Sequence, residues 1–176
     1  MANHSFKHTL GTMLRYSIPI LMMVQFAGVR VLAQDSDKEK KEAAMQAAVK
    51  SLIESKHYLF TPQSMMPMKG RSRPLSSTYE VRITGDTMLS YLPYVGRSYV
   101  AGYGDSDGAI DFKSTSFDYS SEPAKKGGWN ITIAPKKISN VSKFMFNISE
   151  TGHTTLVVTS NTRDQITFYG AISALN

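Results

Sequence analysis

Apolar and polar positions alternate with a period of two through most of this chain, and with a helical period over one early stretch. From Asp35 to His57, Met45, Ala48/Val49, Leu52 and Ile53 recur at helical spacing and form one stripe. Asp35, Ser36 and Asp37 offer N-caps, and Glu39 and Glu42 follow near the positive end of the helix dipole. Lys50 and Lys56 stand toward the other end, where cations are favoured. The spacing predicts one amphipathic helix over 34–57. Its mixed polar face suits packing on a sheet better than lying on a membrane surface.

Beyond Tyr58 the period shortens. Tyr58-Leu59-Phe60 opens a strand, with Met65, Met66 and Met68 set around Pro62 and Pro67. Tyr79, Val81 and Ile83 alternate with Glu80, Arg82 and Thr84. Met88 to Val95 is extended and broken by Pro93. Ile110 and Phe112 share a short strand, and Phe117 and Tyr119 the next. Lys125-Lys126-Gly127-Gly128 predicts a hairpin turn, after which Trp129, Ile131 and Ile133 share a face. Phe144, Phe146 and Ile148, then Leu156 and Val158, then Ile166, Phe168 and Ile172 point inward from the last three runs, joined by turns at Glu150–Gly152 and Asn161–Asp164. Short loops between alternating runs predict an antiparallel meander, mostly β, curved into a sheet or partial barrel of about seven or eight strands. The helix would pack on it and hide an edge. Residues 58–176 form this β domain, one globular unit with the helix.

The first 33 residues read as a leader rather than as part of the fold. Lys7 and Arg15 supply its positive end, Ile18 to Val29 its apolar stretch, and Val31-Leu32-Ala33 a cleavage site before Gln34. The apolar stretch falls short of the roughly 20 residues that span a bilayer. An exported protein, periplasmic or in the cell envelope and without a membrane span after cleavage, is the expectation. The leader holds three cations, Lys7, Arg15 and Arg30, and no acid, so the net charge of +6 falls to +3 beyond it. That balance gives no reason to expect a nucleic-acid partner. There is no cysteine, which removes disulfides and thiolate chemistry.

Tyr91 to Gly104, YLPYVGRSYVAGYG, interrupts the alternation with four tyrosines, glycines, a proline and an arginine. Tyrosine and arginine are favoured at contacts because they bury area and keep a polar handle. Tyr91, Tyr94, Arg97, Tyr99 and Tyr103 are therefore the candidate ligand or partner-binding residues. The competing reading is structural, with the tyrosines packed over an open end of the sheet and Arg97 bonded to loop carbonyls. A ligand cavity would be lined by Tyr91, Tyr99 and the inward phenylalanines, with Met65, Met66 and Met68 near its mouth.

Other chemistry finds little. Beyond the leader only His57 and His153 remain, with no zinc spacing. Asp105-Ser106-Asp107-Gly108 resembles part of a calcium loop. Aligning Gly108 with the invariant glycine puts Tyr103 and Ser114 where ligands belong, so no metal and no cofactor is expected. No serine sits in G-x-S-x-G, and a serine triad would have to use His57 or His153. A hydrolase using Asp105, Asp107 and Asp111 is the enzymatic alternative, and an envelope structural protein without a ligand is another. Asn130, Asn140 and Asn147 begin N-glycosylation patterns, and Asp86-Thr87-Met88 resembles a bacterial O-glycosylation acceptor.

The succession YLPYVGRSYVAGYG, GDSDGAIDF, KKGGWNITI and NTRDQITFYGAI resembles an uncharacterised family, a domain of unknown function found in small exported proteins of Gram-negative anaerobic, Bacteroides-type bacteria. The resemblance runs from Tyr58 to Ile172 and is most specific over Tyr91 to Phe112, with Gly96-Arg97 at its centre. It implies a fold and a location and brings no catalytic residues. The expected function is a non-enzymatic periplasmic binding module for a small amphipathic ligand or an envelope protein.

Overall fold

The computed structural model describes residues 38–75, 79–96, 109–138 and 141–175. The leader, the expected caps Asp35 to Asp37, and Arg97, Tyr99, Tyr103, Asp105, Asp107 and Asn140 lie outside them. Two compact units divide the chain, Met1–Ala43 and Ala44–Asn176. The second holds every strand among the described residues.

Helix α1 covers 38–55. Its buried stripe is narrower than the sequence pattern suggests. Val49 and Ile53 are buried and Leu52 packs beside them, whereas Met45 is 41% exposed and Ala48 faces solvent. Val49 lies near Gly152, and Gln46 donates to Glu150 at 2.9 Å, so the β-turn there receives the helix from Gln46 onward. Met45 precedes that contact. Among the described residues no helix is long and apolar enough to cross a membrane.

The strands are β1 (His57–Pro67), β2 (Arg73–Pro74), β3 (Glu80–Thr84), β4 (Thr87–Leu92), β5 (Ile110–Ser114), β6 (Phe117–Pro123), β7 (Trp129–Pro135), β8 (Lys143–Ile148), β9 (His153–Thr159) and β10 (Ile166–Ser173). Their order across the sheet is β5-β4-β3-β1-β10-β9-β8-β7-β6, with the two-residue β2 beside β1. Every pair is antiparallel. Along nine alternating strands the two ends, β5 and β6, must run in the same sense. A parallel pair needs a long crossover, yet only Thr115 and Ser116 separate these two. They are instead the halves of one bent strand, the first paired with β4 and the second with β7. Counted so, eight up-and-down strands form a nearly closed, barrel-like sheet, with β1 joined to β10.

The stagger of the barrel explains the bend. One row of partners runs Phe112, Ser90, Val81, Phe60. Another runs Tyr119, Ile133, Phe144, Val158, Ile166, Pro67. Phe60 to Pro67 and Phe112 to Tyr119 are equal steps of seven along their strands. Seven is odd, so a regular strand would turn its second half outward. β1 corrects its phase with a bulge between Pro62 and Ser64. The bent strand corrects its phase at Thr115-Ser116: Ile110, Phe112 and Ser114 face in before it, Phe117 and Tyr119 after it.

Pro62 fits the bulge because β1 pairs with β3 only through Phe60 and with β2 only from Ser64. On the other flank Gly170 lets the backbones close up, since a Cβ there would stand 2.1 Å from the Thr61 carbonyl oxygen. Inside, Tyr58, Phe60, Phe144, Phe146, Phe168, Ile83, Met88, Leu92, Ile131, Ile133, Ile148 and Leu156 are almost wholly buried. Phe146 meets Tyr58 and Phe60 edge-on at 6.5 and 5.8 Å, and Phe112 meets Phe144 at 5.8 Å.

Candidate functional site

The tyrosine-rich segment does not gather into one patch in its described part. Tyr91 points outward from β4, 40% exposed, with its ring against Tyr79 at 5.4 Å. Asp111 is its exposed partner on β5. Tyr94 turns to a different neighbour: its hydroxyl donates to the Asp164 carbonyl oxygen at 3.3 Å, and the Arg163 guanidinium lies 4.9 Å over its ring. Partial burial, with the Asp164 charge adding to it, raises the Tyr94 phenol above its ordinary value. Tyr91 cannot line an interior cavity, because strand alternation puts Ser90 and Leu92 inside in its place. The inward phenylalanines pack on one another instead of framing a space. Of the three methionines expected at a mouth, Met65 is core, and Met66 and Met68 are exposed.

A groove opens where the bent strand leaves β4. It has a volume of about 670 Å³ and is lined by Lys56, by Gly85 and Asp86 of the β3–β4 turn, and by Thr115 to Tyr119. The local chemistry follows from the bend. Ser114 Oγ donates to the Ser116 carbonyl oxygen at 2.9 Å and accepts from the Ser116 N–H at 3.3 Å, which fastens the corner. The Lys136 N–H donates to the Ser116 carbonyl oxygen at 2.8 Å, tying the corner to β7's end. The first residues of β6 then have β7 on one flank and the groove on the other.

Behind the groove wall two tyrosine hydroxyls come near each other, both shut off from solvent. Tyr58 comes from β1 and is wholly buried; Tyr119 comes from β6 and lines the groove. They are close enough to act on each other's ionisation, yet neither hydroxyl makes a hydrogen bond of proper length and angle. Burial pushes the Tyr58 phenol well above its ordinary value, and the neighbouring Tyr119 adds to the shift. Burial also raises Tyr119. Both remain protonated donors near neutral pH. Other buried polar groups are satisfied: Ser90 Oγ donates to the Ile110 carbonyl oxygen at 3.1 Å, and Thr154 Oγ1 to that of Gly152 at 2.9 Å. An unmade hydrogen bond in a buried place costs about 1–3 kcal/mol. Even if the two phenols turned to bond each other, one O–H would still lack an acceptor.

Lys56 completes the set. It follows α1 in the left-handed region, φ 52°, where glycine is usual. Its N–H donates to the Ile53 carbonyl oxygen at 3.2 Å, and its own carbonyl accepts from the Gly85 N–H at 2.9 Å. The ammonium lies 4.7 Å over the Tyr119 ring and has no carboxylate partner among the described residues. Asp118 at the rim is taken by Lys136 at 2.6 Å, while Asp86 accepts from the Thr87 hydroxyl at 3.1 Å. Sequence reasoning placed Tyr58 and Tyr119 on strands and Lys56 toward a helix end, without linking them. His57 and His153 are both exposed at strand starts. Among the described residues no three His, Cys, Asp or Glu side chains gather to hold a metal ion.

The model of the family described as "Domain of unknown function (DUF4251)" matches residues 40–172, and the chain belongs to that family. A crystal structure of a DUF4251 family protein from Bacteroides eggerthii DSM 20697 is similar in fold, with a TM-score of 0.54 at 13% identity. The match covers 76% of this chain and 91% of that one. No curated protein matches the sequence.

Proposed function

We propose that this member of the DUF4251 family is an exported, non-enzymatic binding module of the periplasm or cell envelope that holds a small amphipathic ligand in the groove beside the bent strand. The observation that carries the reading is the open groove of about 670 Å³, in which the Lys56 ammonium, without a carboxylate partner among the described residues, shares the wall with Phe117 and Tyr119. Export rests on the leader, with Lys7 and Arg15 before the apolar stretch and Val31 and Ala33 at the cleavage site.

A second reading keeps the tyrosine-rich segment as the contact surface for an envelope protein. It is favoured by the outward Tyr91 ring, tilted against the half-buried Tyr79 and beside exposed Asp111. Native mass spectrometry of the protein released from its own cells by osmotic shock tests both. A small reproducible added mass, lost on denaturation, supports the groove, and a co-released polypeptide supports the tyrosine face. Absence from the shock fluid would overturn the periplasmic reading, and a bare chain there would overturn the carried ligand.

A further inference from the structure

We infer that the outer face of β8, β9, β10 and β1, together with the loop that follows β1, docks the protein on an anionic phospholipid bilayer. This face is separate from the groove, and the inference does not depend on what the groove holds. None of the four strands contains an aspartate or a glutamate. One row of outward positions crosses them as Met145, Val157, Thr167 and Met66. Tyr169, two residues on from Thr167, shares that face. Six large apolar side chains are exposed among the described residues, and four of them, Met66, Met68, Met145 and Tyr169, belong to this face or its loop. Apolar residues exposed singly are ordinary, whereas a gathering on one face marks a contact surface.

Charge identifies the partner. Lys69 and Arg71 in the loop and Arg73 at the start of β2 are exposed and have no carboxylate partner among the described residues. Lys143, likewise exposed and unpaired, stands one residue beyond the row Phe144, Val158, Ile166, Pro67, at the end of the sheet where this loop begins. Asp164, in the turn before β10, has Arg163 next to it in the chain, and both act on Tyr94. Cations beside apolar side chains fit the interface of an anionic bilayer, where the charges meet lipid phosphates and the methionines enter the acyl boundary. A plain polyanion would answer the cations and leave the methionines in water.

The test is co-sedimentation of the protein, recovered from its own cells, with vesicles of mixed phosphatidylglycerol and phosphatidylcholine and, in parallel, with vesicles of phosphatidylcholine alone. The expected result is binding to the anionic vesicles that weakens as salt rises, with little binding to the neutral ones. Lys69→Ala/Arg71→Ala/Arg73→Ala lowers the partition coefficient on the order of a hundredfold, about fivefold for each cation. Met66→Ser/Met68→Ser keeps every charge and weakens binding several-fold, which a purely electrostatic attraction would not show. No binding to anionic vesicles, equal binding to both kinds, or unchanged binding in both variants would overturn the inference. Binding to polyglutamate that needs the three cations, without binding to vesicles, would assign the loop to an acidic polypeptide and overturn it as well.

Discussion

The ammonium of Lys56 lies 4.7 Å over the ring of Tyr119, and it reaches that place from a left-handed backbone. Two substitutions separate these features. Lys56→Ala keeps the strain and loses the cation–ring contact, whereas Lys56→Gly loses both. The glycine variant should be more stable than the alanine variant by about 1 kcal/mol. Urea midpoints at equal slope measure the difference.

Tyr58→Phe removes a buried hydroxyl without a partner. Its packing against Phe146 survives, so the ligand-free protein should gain stability, by about 1 kcal/mol. A loss of 1 kcal/mol or more in the ligand-free protein would mean that the hydroxyl is satisfied within the fold.

Alkaline pH should unfold the protein through the same pair. Both phenols are raised on folding, so their contribution is fully present below the unfolded value of about 10 and is lost as pH rises from there through the folded values. Melting temperatures between pH 8 and pH 11.5 should stay level and then fall. Tyr58→Phe should make the fall shallower. Equal slopes in parent and variant would contradict the burial of this phenol.

Phe146→Ala should cost about 3–5 kcal/mol, because the ring is buried and meets Tyr58 and Phe60 edge-on. Gly170→Ala should cost about 1–3 kcal/mol, since its Cβ would press on the backbone of Thr61 and Pro62. Tyr91→Ala, on the outer face, should stay within about 1 kcal/mol of the parent. Thermal melts of the three variants rank them.

The inward positions of β7 to β10 were legible because alternation there is regular and each turn carries glycine or asparagine. Phe144, Phe146, Ile148, Leu156, Val158, Ile166 and Phe168 all face the core as the pattern requires. The bent strand was not legible: Ser114-Thr115-Ser116 separates two short apolar runs and reads as a turn between two strands. The groove was invisible for a related reason. Tyr58 and Tyr119 lie far apart in the chain and become neighbours only through the barrel's stagger, which no local pattern encodes. Lys56 gave no sign of its left-handed backbone, because the usual signal for it is a glycine. The tyrosine cluster drew attention by composition, but strand parity sends Tyr91 outward, and Tyr94 is engaged at the Asp164 turn.

The most direct test compares the parent protein with a Lys56→Met/Tyr119→Phe variant, both released from the same cells, by native mass spectrometry alongside matched thermal melts. The groove account predicts a small added mass on the parent, its loss from the variant, and similar melting temperatures. The same added mass on a folded variant would contradict it.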